Sequence, residues 1–156
     1  MILIDTNILL RSHPSDPRYL LVRNALAKLK QDRELLCIAP QNLVEFWVVA
    51  TRPPESNGLG MQPVAAVAEI QRLPKTFHVL EGLPGVSDAW EKLTGKHLVL
   101  GKQAHDANLV ATMLVHGAKR LLTFNGADFK RYDAVEVDGR GTRRDDGQGR
   151  LLAART

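Results

Sequence analysis

Three carboxylates interrupt apolar stretches of this chain. Asp5 follows Ile2, Leu3 and Ile4, Glu45 sits between Val44 and Phe46, and Asp106 has Leu109, Val110 and Met113 at i+3, i+4 and i+7. On a helix those spacings share one face, so Asp106 heads the stripe that turns toward a core. A carboxylate aimed inward needs a partner, because burying it unpaired is costly or forces it to take up a proton. Singly, two of the acids have an ordinary structural explanation: Asp5 can cap the turn that begins at Thr6, and Glu45 can pair with Arg52 or Arg11. Together, inward acids with no equally inward base repel one another unless a cation neutralises them. Carboxylate and amide oxygens suit magnesium or manganese rather than zinc, and His13, His78, His97, His105 and His116 show no ligand spacing. Magnesium held by few protein ligands keeps waters and open positions, the arrangement needed to bind a phosphate and activate water against it.

Elements that would position these acids can be read from the pattern of apolar residues. Ile2 to Ile4 reads as a strand buried on both faces, as do Leu35 to Ile38, Leu121 to Thr123 and a short Val135 to Val137. Helical spacing appears at Val22, Ala25, Leu26 and Leu29, and again at Leu43, Phe46, Trp47 and Ala50 behind Pro40. Arg52 to Pro63 is a loop by its prolines and glycines. A helix near Val64 to Leu73, an extended piece Phe77 to Leu80, a helix from Val86 to about Leu93 and one from Gln103 to His116, stopped by Gly117, complete the pattern.

Strands alternating with helices predict a parallel sheet covered by helices on both faces, which binds ligands beyond the C-terminal ends of its strands. Asp5 ends the first strand, Glu45 lies early in the helix after the second, Asp106 opens the helix leading into the strand that ends at Thr123, and Asn125 and Asp128 follow that strand. All are expected at one edge of the sheet.

The 156 residues suit one domain with a real core, and an apolar share of 44% with 24% charged residues excludes a disordered or fibrous chain. The lone Cys37 cannot form an internal disulfide, which favours a reducing cytoplasm. The start MILIDTN lacks the basic lead of a secretory signal, and no apolar run reaches the length of a membrane span. A net charge of +4 mildly favours a polyanionic partner. Much of it lies beyond about Asp138, where GRGTRRDDGQGR has no apolar period, so residues 139–156 read as a basic, poorly ordered Gly/Arg-rich tail.

The segments IDTN at Ile4 to Asn7, APQNLVEFW around Glu45, QAHDANLVA around Asp106 and LLTFNGADF from Leu121 to Phe129 together resemble the four signature segments of PIN-domain nucleases, and among these the VapC-type toxins of toxin–antitoxin pairs. The similarity spans about residues 1 to 137. The resemblance implies an α/β fold with a five-stranded parallel sheet flanked by helices, a homodimer, a cognate antitoxin, one or two magnesium or manganese ions, and endonucleolytic hydrolysis of RNA to 5′-phosphate and 3′-hydroxyl ends.

Asp5, Glu45 and Asp106 fall on the family's three principal acids. At the fourth position this chain has Asn125, which still offers a carbonyl oxygen, with Asp128 three residues on. Metal held by Asp5 and Asp106 would activate a water, with Glu45 positioning that water or the ion, Asn125 and Asp128 as further metal ligands, Asp128 also a catalytic candidate, and Thr6, Asn7 and Thr123 orienting the carboxylates. Arg52 and Lys102 are candidates for holding flanking phosphates, the other possibility being solvated surface charge. Apolar residues near Trp47 and Trp90 lend modest support to the dimer.

Two further readings compete. A haloacid-dehalogenase-type phosphatase also starts from an aspartate after the first strand, but needs a second aspartate two residues on, where this chain has Asn7. A catalytically inactive PIN-like module that docks RNA or protein usually lacks acids that this chain retains.

Overall fold

The structure, a computed structural model, describes residues 1–138; the expected tail at 139–156 lies outside the described residues. The chain opens with strand β1 (Ile2–Ile4), a short helix α1 (Thr6–Leu10), helix α2 (Tyr19–Gln31), strand β2 (Leu36–Ile38) and helix α3 (Pro40–Thr51). Helix α4 (Pro63–Arg72), strand β3 (His78–Val79), helices α5 (Gly85–Lys96) and α6 (Gln103–His116), and strands β4 (Arg120–Leu122) and β5 (Glu136–Asp138) follow, with a 3-10 turn at Gly126–Phe129. The five strands form one sheet in the order β3-β2-β1-β4-β5, and every pair is parallel. The α/β class and the parallel five-stranded sheet expected from the alternation are therefore present. Helix α1 is the element that the apolar pattern did not resolve.

Alternate residues of each strand enter different cores, as the period of two requires. Ile2, Ile4, Leu36, Ile38 and Leu122 pack with Leu9, Val22, Leu29, Phe46 and Ala50 on one face. Leu3, Cys37 and Leu121 pack with Ala107, Val110, Met113, Phe129 and Tyr132 on the other. Both faces are covered, which explains the unbroken apolar runs in the strands. Gly117 ends α6 at φ 69°, the left-handed conformation that favours glycine. Among the described residues no helix is long and apolar enough to cross a membrane.

In this strand order β1 continues toward β2 on one side while β4 continues toward β5 on the other. The crevice beyond the C-terminal ends of β1 and β4 is thus the topological switch point, where open parallel sheets bind ligands.

Candidate active site at the C-terminal edge of the sheet

Asp5 is the first residue beyond β1. Its backbone N–H donates to the carbonyl of Leu122 at 3.0 Å, which locks it to the end of β4. Its carboxylate Oδ2 accepts hydrogen bonds from Asn7 Nδ2 at 2.6 Å and Thr123 Oγ1 at 2.5 Å. Asn7 also reaches Thr123 Oγ1 and accepts the N–H of Phe124 on its own Oδ1. Burial pushes the Asp5 carboxyl above its ordinary pKa; the Thr123 hydrogen bond opposes the rise and the charge of Glu45 adds to it.

Glu45 is held from two directions. Thr6 Oγ1 donates to its Oε2 at 2.5 Å and Gln41 Nε2 donates to its Oε1 at 2.6 Å. Thr6 is in turn fixed by the fully buried Asn42, whose Nδ2 donates to Thr6 Oγ1 at 2.9 Å while its Oδ1 accepts the N–H of Ala39 at 2.7 Å. Asn42 therefore closes the first turn of α3 and ties it to the end of β1. Neither Arg11 nor Arg52 pairs with Glu45. Among the described residues the base paired with it is His105, with Nδ1 at 3.6 Å from Oε1. Gln41 also donates to the carbonyl of His105 and accepts from Asn108, so the starts of α3 and α6 are stitched together.

Asp106 lies in the first turn of α6, half-buried, and among the described residues its carboxylate has no hydrogen-bond partner. Burial, followed by the charges of Asp128, Asp5 and Glu45, lifts its pKa to about 6, with only His105 pulling the other way. Asp128, exposed on the turn after β4, is the largest charged contributor. Asn125 is also exposed, and its backbone N–H donates to Thr123 Oγ1. Tyr132, which sequence reasoning did not single out, places a buried hydroxyl in the field of Asp106, with no hydrogen-bond partner among the described residues.

Four carboxylates thus share one electrostatic field at the switch point. A different set of acids in the same chain shows what a structural ion-pair network looks like here. Arg120 on β4 donates to Glu34 and, at 2.5 Å, to Asp138, and the Glu34 carboxyl is held below its ordinary pKa by that guanidinium. No arginine or lysine plays that part for Asp5, Glu45 or Asp106 among the described residues.

Among those residues no three His, Cys, Asp or Glu side chains stand close enough to enclose one metal ion. Asp5 and Glu45 are anchored by separate hydrogen-bond sets, Asn7 with Thr123 and Thr6 with Gln41. The donors fit a hard divalent cation bound through one or two carboxylates with its waters retained; they do not form a closed cage. Of the two basic candidates, Lys102 precedes α6, exposed and one turn before Asp106. Arg52 ends α3, exposed and about 10 Å along the helix axis from Glu45.

No curated protein matches the sequence. Among solved structures, a chain of VapBC2 from Rickettsia felis, bound to a DNA fragment from their promoter, superposes with a TM-score of 0.68 at 16% identity, covering 88% of this chain and 98% of that one. VapBC-1 from nontypeable Haemophilus influenzae gives 0.66 at 18% identity over 88% and 97%. VapC20 from Mycobacterium tuberculosis, a sarcin-ricin loop cleaving toxin, gives 0.60 at 20% identity over 82% and 92%. At these identities the likeness is one of fold. The PIN domain model matches residues 2–135, nearly all of the described chain and including Asp5, Glu45, Asp106 and Asp128, and this protein belongs to the PIN domain family.

Proposed function

We propose that this protein is a divalent-metal-dependent endoribonuclease and the toxin of a toxin–antitoxin pair, working in the cytoplasm. The observation that carries the reading is the convergence of Asp5, Glu45, Asp106 and Asp128 in one field with no arginine or lysine partner among the described residues; burial and then these charges lift Asp106 to about 6. Magnesium, or manganese in its place, would polarise the scissile phosphate and lower the pKa of a bound water.

The chain's own residues do the rest. Asp5, oriented by Asn7 and Thr123, and Asp106, without a hydrogen-bond partner among the described residues, would supply the negative charge that holds the ion, with Asn125 and Asp128 as further candidate ligands. Glu45, clamped by Thr6 and Gln41, would orient a water for attack on phosphorus and take its proton; the bond from phosphorus to the 3′-oxygen breaks and that oxygen takes up a proton from solvent. Two solved relatives in fold are VapBC complexes, which supports a cognate antitoxin. Helices α3 and α4, packed together, expose Val44, Val48, Val64 and Val67, a face suited to a second copy of the chain in a homodimer.

The test is cleavage of RNA by the purified protein in magnesium or manganese. Cleavage should stop with excess EDTA, return when metal is restored, and leave 5′-phosphate ends. Persistence in EDTA would overturn the metal mechanism.

A further inference from the structure

Beside the acidic cluster the structure gathers two arginines on one aromatic ring. The guanidinium carbons of Arg11 and Arg18 lie 5.2 and 5.1 Å from the centroid of the Phe124 ring. Arg11 and Arg18 stand at the two ends of the connection between α1 and α2, and Phe124 follows β4, so two separate connections at this edge of the sheet converge. A cation over an aromatic face is favourable, but two guanidiniums on one ring also repel each other. Among the described residues neither forms an ion pair. Asp16, the acid nearest in sequence to Arg18, directs its Oδ1 to the backbone N–H of Arg18 at 2.7 Å.

The position of this pair is set by Asn7. Arg11 Nη1 donates to the Asn7 carbonyl at 2.8 Å, Phe124 N–H donates to Asn7 Oδ1 at 3.1 Å, and Asn7 Nδ2 donates to the Asp5 carboxylate. One residue therefore bridges the acids to an unneutralised double positive charge. Guanidiniums with free N–H donors, pre-set on a ring, match the oxygens of a phosphodiester.

Resting on the ribonuclease reading above, we propose that Arg11 and Arg18, seated on Phe124, form a subsite for a backbone phosphate of the RNA strand beside the scissile bond. The acids repel the RNA backbone and the arginine pair offsets that repulsion one step away, fixing which phosphate enters the cluster. An acidic segment of a protein partner is the competing occupant.

The experiment is binding of a short fluorescein-labelled single-stranded RNA in EDTA, followed by anisotropy over a series of salt concentrations. Wild type is compared with Arg11→Gln/Arg18→Gln, with Arg18→Gln alone, and with Lys75→Gln/Lys96→Gln as a control for net charge. Thermal melts establish that each variant is folded; Arg18 makes no side-chain hydrogen bond among the described residues, so Arg18→Gln is the safer substitution.

The subsite predicts roughly tenfold weaker binding for the double arginine variant at low salt and a salt slope shallower by about 0.7 for each phosphate that is no longer neutralised. The lysine control keeps the wild-type slope. In manganese the arginine variants should raise KM for RNA far more than they lower kcat. Failure of wild type to bind RNA, a slope unchanged in the folded arginine variants, or unchanged RNA binding with lost binding of a polyglutamate peptide would each overturn the proposal. Arginine-dependent binding by a protein that cuts no RNA in metal would support the subsite and overturn the nuclease reading instead.

Discussion

Asp106 stands in the field of three other acids, and its pKa of about 6 compares with 3.8 for an ordinary aspartate. The folded chain therefore keeps a proton on Asp106 at pH values where the unfolded chain has lost it. Stability from this group is fully present below about pH 4 and is lost as the pH rises through about 6. Asp106 is partly open to solvent, so the effect is discounted to about 1 kcal/mol, a few degrees in a chain of this size. Glu34, its pKa lowered by Arg120, has the opposite sign: its stability is present above the ordinary carboxylate range and is lost on acidification. Between pH 5 and 8 the Asp106 contribution should govern the slope. The metal-free protein is expected to melt a few degrees higher at pH 5 than at pH 8, while the gain in Tm from added magnesium fades below about pH 6 as protons compete for the carboxylates. A metal-induced gain of the same size at pH 5 and pH 8 would show that Asp106 takes no part in holding the ion.

The starts of α3 and α6 determine how the acids face one another, and Asn42 is the residue on which that arrangement turns. With no solvent exposure, it joins the Ala39 N–H to Thr6 Oγ1, and Thr6 holds Glu45. Removing its amide leaves those groups without their partner, so Asn42→Ala should cost about 1 to 3 kcal/mol in urea unfolding. It should also lower kcat for RNA under conditions where the variant is fully folded, because Glu45 loses its anchor. A variant of unchanged kcat would show that Glu45 is positioned without this chain of bonds. The role of Asn42 was not legible in the sequence, since Asn two residues after Pro40 reads as an ordinary first-turn residue and its partner Thr6 is 36 positions away. Helix α1 escaped for another reason: five residues, Thr6 to Leu10, are too few to display a helical period. The longer helices declared themselves, with α6 running from Gln103 to the Gly117 stop as the apolar stripe and the glycine had indicated.

Across the whole molecule, the parallel sheet converts positions scattered along the chain into one edge. Asp5, Glu45 and Asp106 could be assigned to that edge from sequence because each is tied to an element end: the close of an apolar strand run or the opening of a helix. What could not be read was which neighbours they would meet. Gln41 at Glu45, Tyr132 in the field of Asp106, and Arg11 with Arg18 on Phe124 are tertiary meetings that no local spacing encodes, whereas Thr123 had been assigned to the carboxylates through the family resemblance. The contrast between the Arg120 network and the acids that no arginine or lysine neutralises among the described residues also belongs to this scale, and it makes the central claim a statement about the stability of the entire fold. Converting Asp106 to Asn nearly preserves shape and removes one charge from the cluster. Measured without metal at pH 8, Asp106→Asn should be at least as stable as wild type, by about 1 kcal/mol, while its RNA cleavage in manganese falls by orders of magnitude. A loss of about 3 to 5 kcal/mol, the cost of breaking a buried ion pair, with cleavage retained in the folded variant, would contradict the account.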